Sequence, residues 1–193
     1  LMGGTGLAVR RPTVGELRDL AKSLGYGFEG GDLDAYGQMV SEILEAYDTV
    51  EQLQEPVSVP RYGRTPGEVP RSEDNPLGAW VRRLVIEGAP DGPLHGKRVA
   101  IKDTIAIAGV PFTAGAKYLE GTFPNADATV VERILDAGGT IVGIAACEYL
   151  TLSGGSHSGS QGVVHNPRRR GYSAGGSSSG NAAAIGSGDA DLA

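Results

Sequence analysis

The stretch NADATVVERILDAGGTIVGIAACEYL, residues 125–150, changes its periodicity halfway, and that change sets the kind of fold to expect. Val130, Val131, Ile134 and Leu135 recur at helical spacing, Asp127 stands where an N-cap belongs, and Gly138-Gly139 supplies a stop. From Thr140 the run TIVGIAAC is almost continuously apolar, as in a buried strand. Just upstream, GKRVAIKDTIAIAGVPFTAG (96–115) holds another short apolar run, Val99 to Ile101, that ends on Lys102. Strand, helix and strand in that order predict a right-handed crossover between parallel neighbours. The expected fold class is therefore α/β, with a mostly parallel or mixed sheet flanked by helices.

Outward from this unit the pattern changes twice. RPTVGELRDLAKSLGY (11–26) sets Thr13 three residues before Glu16, a capping-box spacing, then places Leu17, Leu20, Ala21 and Leu24 on one helical face before Gly25. DLDAYGQMVSEILEAYDTVEQL (32–53) predicts a second helix, with Asp32 or Asp34 as N-cap. Its stripe of Leu33, Tyr36, Val40, Ile43, Tyr47 and Val50 is expected to pack on the rest of the chain or on a partner subunit. Prolines at 56, 60, 66, 70 and 76 then remove backbone donors repeatedly and disfavour helix before each one. The expected organisation is an α-helical region over 1–60, a proline-rich linker over 61–74, and an α/β portion over 75–193.

Composition narrows the function. A net charge of −6, with Arg168 to Arg170 the only dense basic cluster, argues against a nucleic-acid surface. No apolar run approaches a membrane span, and LMGGTGLAVRRP lacks the apolar core of a signal peptide, so a cytoplasmic location is expected. The single cysteine cannot form an internal disulfide. The 31 glycines are about twice ordinary usage, so many backbone positions must need freedom that other residues lack.

Several local features could carry chemistry. Lys102, delivered by an apolar strand, is either a charge reaching to solvent or a base, and the second role needs the amine form that burial favours. Cys147 at the next strand end reads as an inert buried thiol. TLSGGSHSGSQGVVHNPRRRGYSAGGSSSG (151–180) is a long Gly/Ser loop region, and loops of that length tend to be functional. His157 and His165 lie in it, yet nothing in the spacing selects either as a triad base, and Ser177, Ser178 and Ser179 form no G-x-S-x-G elbow. A phosphate loop is disfavoured because the lysine that should precede the Ser/Thr is missing. Neither histidine has metal-ligand spacing to other donors.

Two distant motifs resemble one known family. GGSSSGNAAAIGSGDADLA (175–193) is similar to the first half of the amidase signature, and VAIKD (99–103) to the strand that bears its catalytic lysine. The intervening GVPFTAG, DATVVERILDAGGTIVG and HNP segments come in the family's order, and the match runs from about Asn75 to Ala193. The helical region, proline linker and DNPLGAW look like the nitrile-pathway type of bacterial amidase, whose N-terminal helices serve in dimerisation.

The resemblance implies hydrolysis of a small amide through a Ser-cisSer-Lys triad, with no metal or organic cofactor. Lys102 would be the base and Ser177, on a cis peptide bond, the proton relay. A serine hydroxyl is a poor nucleophile until a neighbouring base takes its proton. The nucleophilic serine and the oxyanion hole would stand at about position 201, beyond Ala193, so the 193-residue chain alone is expected to be inactive. Thr151 would line the acyl site. Departures at Gly143 to Ala146, Tyr149, Arg168 and Tyr172 leave the substrate open among carboxamides, aryl acylamides and hydrazides. The implied partners are a small-molecule amide and a second copy of the chain. Two rival readings are the amidotransferase subunit that serves tRNA-dependent amidation and a catalytically inactive binding module.

Overall fold

The structure, a computed structural model, describes residues 9–28, 31–53 and 59–193. Residues 1–8, where most of the leader reading falls, and Pro56 of the proline series lie outside the described residues. The chain divides into two units, Leu1–Pro56 and Val57–Ala193.

The first unit is a helix pair, α1 (Val14–Ser23) and α2 (Asp32–Gln52). The capping box forms as spaced: Thr13 Oγ1 accepts from the Glu16 N–H at 3.2 Å, and the Thr13 N–H donates to Glu16 Oε2 at 2.8 Å. Arg10 joins it, and its guanidinium together with the Thr13 donors holds the Glu16 carboxyl down at about 2. The cap of α2 differs from expectation. Its N-cap is Gly31 with no side-chain bond, and Asp32 and Asp34 fall inside the first turn, where a negative charge still suits the helix N-terminus. Two helices share one seam, so among the described residues of this unit only Ala21 and Leu33 are buried, while Tyr36, Ile43, Tyr47 and Val50 of the expected packing stripe stay about half or more exposed.

The second unit is built on a three-stranded sheet in the order β1-β3-β2, with β1 Trp80–Ile86, β2 Arg98–Lys102 and β3 Thr140–Ala145. β2 and β3 are parallel neighbours joined through α3 (Thr129–Asp136), the expected strand-helix-strand unit. β1 runs antiparallel to β3, which makes the sheet mixed. Val131 and Leu135 of α3 and Ile141 and Ile144 of β3 are essentially sealed from solvent. Each such side chain contributes about 1.5–3 kcal/mol of burial. Trp80 lies on Gly143, where even a methyl group would overlap the indole ring.

Two local readings need correction. Asp127 does not cap α3, whose N-cap is Ala128. Its carboxylate instead accepts from the Ala108 N–H at 2.8 Å and pairs with Arg64, so a buried tertiary contact takes the acid that a cap would have used. Residues 61–74 fall within the second unit, not between the two. Glu68 and Arg83 exchange N–H···O=C bonds of 2.8 and 2.9 Å beside β1, and Arg82 donates to the carbonyls of Pro66 and Gly67. At the other edge, Leu192 pairs in parallel with Val99. Both outer strands thus have a partner for part of their length, which limits exposed edge donors.

Candidate active site

Parallel pairing sets Lys102 opposite Ala145, so β2 and β3 end side by side. Val99, Ala100 and Ile101 are buried and anchor β2, and Lys102 emerges half-buried at its tip. The third contributor is α4 (Ser179–Ser187), whose first turn lies directly against the end of β3. The Gly180 N–H donates to the Ala146 carbonyl at 2.8 Å, and a Cβ at Gly180 would overlap the Ala146 nitrogen and the Ala79 carbonyl. Only glycine lets the helix start this close. The approach draws the preceding segment, 175–178, over the strand ends.

Lys102 and Ser177 meet there, with Lys102 Nζ donating to Ser177 Oγ at 2.8 Å across 75 positions of sequence. The Gly176–Ser177 peptide bond is cis. Gly176 leaves no room for a side chain: a Cβ would come within 2.8 Å of the Ser153 carbonyl and 3.0 Å of Glu148 Cγ. Ser178 is the N-cap of α4 but makes no side-chain capping bond, and Ser179 is fully buried against the Ala146 carbonyl. The three serines therefore have separate surroundings.

Thr151 lies nearby in the turn Tyr149–Thr151 that follows β3, half-buried and with φ of 59°. Its N–H donates to the Glu148 carbonyl at 2.9 Å. Of the three histidines, the two in the long loop, His157 and His165, make no side-chain bond to the lysine among the described residues. His157 meets Glu148 through its backbone N–H, and the His165 N–H donates to the Leu77 carbonyl.

Two groups that the sequence reading passed over are central to the site. Asp103, next to Lys102, is wholly buried and accepts from the Thr113 N–H (2.9 Å), the Thr113 hydroxyl (2.5 Å) and the Gly115 N–H (3.2 Å). Burial raises its pKa, and these three donors offset that only in part. Glu148, three residues beyond β3, is equally buried and accepts from the Ser158 hydroxyl (2.7 Å), the Ser158 N–H (3.2 Å) and the His157 N–H (3.3 Å). Burial works against its ionisation too, but the donors outweigh it and the pKa is lowered. The available signal was position: each is a lone carboxylate just past a buried strand, where apolar packing alone gives no reason for a charge. Cys147 is buried beside them, its thiol pushed up to about 11 by burial first, with Asp103 and Glu148 adding and Lys102 opposing. At that value the thiol is protonated at neutral pH and a poor nucleophile.

A mixed sheet whose strand ends carry a lysine on a serine, under a glycine-rich turn opening a helix, defines the class of protein. The Amidase family model matches residues 80–193, more than half of the chain, and the chain belongs to the amidase signature family. An enantioselective amidase of Rhodococcus rhodochrous is 47% identical over 126 residues, covering 64% of this chain and 24% of that protein. The A-type subunit of a glutamyl-tRNA(Gln) amidotransferase from Haloarcula marismortui is 49% identical over 114 residues, covering 59% and 27%. Among solved structures, the corresponding amidotransferase protein from Thermotoga maritima superposes with a TM-score of 0.54 at 31% identity, over 57% of this chain and 25% of that one. The chain thus spans about a quarter of the length of the relatives it matches.

Proposed function

We propose that this chain is the base-and-relay portion of an amide hydrolase that converts a small carboxamide, aryl acylamide or hydrazide to an acid and an amine or ammonia. The observation that carries the reading is the 2.8 Å contact between Lys102 and Ser177 beside a cis peptide bond. Lys102, in its amine form, accepts the Ser177 proton. Ser177 in turn takes the proton of a nucleophilic serine, whose oxygen attacks the amide carbonyl. Collapse of the tetrahedral adduct breaks the C–N bond while the same relay returns the proton to the leaving nitrogen. Water attacks the acyl-enzyme by the same route, releases the acid and restores both hydroxyls. The nucleophile and the oxyanion donors come from sequence outside residues 1–193, and Thr151 borders the acyl group. No metal or organic cofactor takes part in this scheme.

The helical unit is proposed to serve in dimerisation, supported by the exposed Tyr36, Met39, Ile43 and Tyr47 of α2. A second reading, the A-type subunit of a tRNA-dependent amidotransferase, is favoured by the identity to the Haloarcula protein. The full-length protein separates the two. A hydrolase working alone releases ammonia from small carboxamides and, with hydroxylamine present, forms the hydroxamate of the trapped acyl group. Release of ammonia from glutamine alone, and only with partner proteins added, would overturn the first reading in favour of the second.

A further inference from the structure

We propose that Glu148 is a positioning residue for the Lys102–Ser177 pair, acting through a closed path of hydrogen bonds and short main-chain segments that begins and ends on Glu148 itself. This rests on the amide-hydrolase reading above.

Glu148 holds the serine segment directly. Its backbone N–H donates to the Ser177 carbonyl at 3.1 Å, and its Cγ lies 3.0 Å from where a Cβ on Gly176 would be, so both residues of the cis peptide lie against it. Its carboxylate reaches in another direction, to the loop 153–158, through the Ser158 hydroxyl and the N–H groups of Ser158 and His157. The Ser158 hydroxyl also accepts from the Tyr149 N–H at 3.1 Å, which fixes its rotamer. That loop returns to the serine segment through Ser156. The buried Ser156 hydroxyl donates to the Val164 carbonyl at 2.9 Å and accepts from the Ala174 N–H at 3.2 Å, three residues before Ser177. From Glu148 the path thus runs through 157–158, Ser156 and Ala174 to Ser177, and closes on the Glu148 N–H.

A carboxylate suits this place for a physical reason. Two backbone N–H groups and a hydroxyl converge on one oxygen, and buried donors left without an acceptor are costly. An amide of the same shape can accept, but it brings two donors of its own into a spot that already holds donors. The charge, not only the bulk, keeps the 153–158 loop in place. Because Ser177 is held from both sides of that loop, its hydroxyl stays in line with Lys102 Nζ. Proton transfer is steep in geometry, and a displacement of about 1 Å can cost on the order of a hundredfold in rate.

The test uses the full-length enzyme with Glu148→Gln, Ser158→Ala and, in parallel, Lys102→Ala. Glu148→Gln should lower kcat about 10- to 100-fold and leave KM within about twofold. A crystal structure of the same variant should show Lys102 and Ser177 out of hydrogen-bond reach. Ser158→Ala, which deletes one donor at a partly exposed residue, should lower kcat severalfold with KM unchanged, and it decides the matter if Glu148→Gln does not fold. If Lys102→Ala is inactive while Glu148→Gln keeps its kcat, or while Ser158→Ala keeps it when Glu148→Gln does not fold, the positioning role is overturned and the hydrolase reading stands. If Lys102→Ala is fully active, the hydrolase reading falls, and the positioning role with it.

Discussion

Asp103 and Glu148 occupy similar places just past the ends of neighbouring parallel strands, both sealed from solvent and both ringed by donors, three at Asp103 and four at Glu148. Their acidities nevertheless move in opposite directions, Asp103 up and Glu148 down. Burial acts the same way on each, so the difference lies in how much the donors offset it. Around Asp103 the donors all come from one short turn, 113–115. Around Glu148, the Ser153 hydroxyl joins those of 157 and 158. A buried acid at a strand end is thus not one kind of group. At β2 it ties down the turn 113–115 beside the lysine, and at β3 it is an anion that gathers the donors of the loop 153–158.

Both strand ends lie under one helix, and that packing is where the pair is most vulnerable. Gly180→Ala puts a methyl group onto backbone atoms of Ala146 and Ala79 that cannot move without opening the sheet. It should cost about 3 kcal/mol or more, read as a lowered denaturation midpoint at unchanged m-value. A loss below about 0.5 kcal/mol would mean that α4 can lift away freely.

A subtler effect separates the acids themselves. Glu148, with a depressed pKa, contributes stability that is present above the usual glutamate range and is lost as pH falls through its folded value. Asp103, with a raised pKa, works the other way: its contribution is fully present below the usual aspartate range and declines as pH rises through its folded value. Melting temperatures followed from pH 3 to pH 7, with Glu148→Gln and Asp103→Asn each compared to wild type, should give difference curves of opposite slope. Parallel curves would show that the two sites are electrostatically alike.

The smallest effect belongs to a surface acid that serves as the reference. Asp191 is bonded to Arg98 and held at about 2, first by the Arg98 side chain and then by its N–H. Its stabilising share is lost only as pH falls through that value, and because the pair is solvent-screened, Asp191→Asn should barely move the melting temperature at neutral pH. A drop as large as that of Glu148→Gln would place the important electrostatics at the sheet edge.

Much of this fold was legible because it is local. The α1 capping box needs only Thr13 and Glu16, and the strand-helix-strand unit is written in the spacing of residues 98–145. What escaped depends on partners far away in sequence. Asp127 sits where a cap belongs, and only Arg64 and Ala108 draw it elsewhere. The prolines of 61–74 read as a linker because pairing with Arg82 and Arg83 leaves no mark on that segment. The antiparallel placement of β1 was equally silent, since its apolar run does not say which neighbour it will meet. At the site, Lys102 and Ser177 came forward through motif resemblance, and the 75 positions between them give no local sign that they touch. Asp103 and Glu148 were invisible as a pair because their donors lie on turns that only the folded chain assembles.

Every role proposed for this site depends on Lys102 being the base of an acyl-transfer reaction. The direct measurement is kcat for amide hydrolysis by the full-length enzyme carrying Lys102→Ala, with circular dichroism to show that the fold is kept. A base at this position predicts a fall of at least about a hundredfold at unchanged secondary structure, whereas turnover within about twofold of wild type would show that Lys102 is only a charge at the end of a strand.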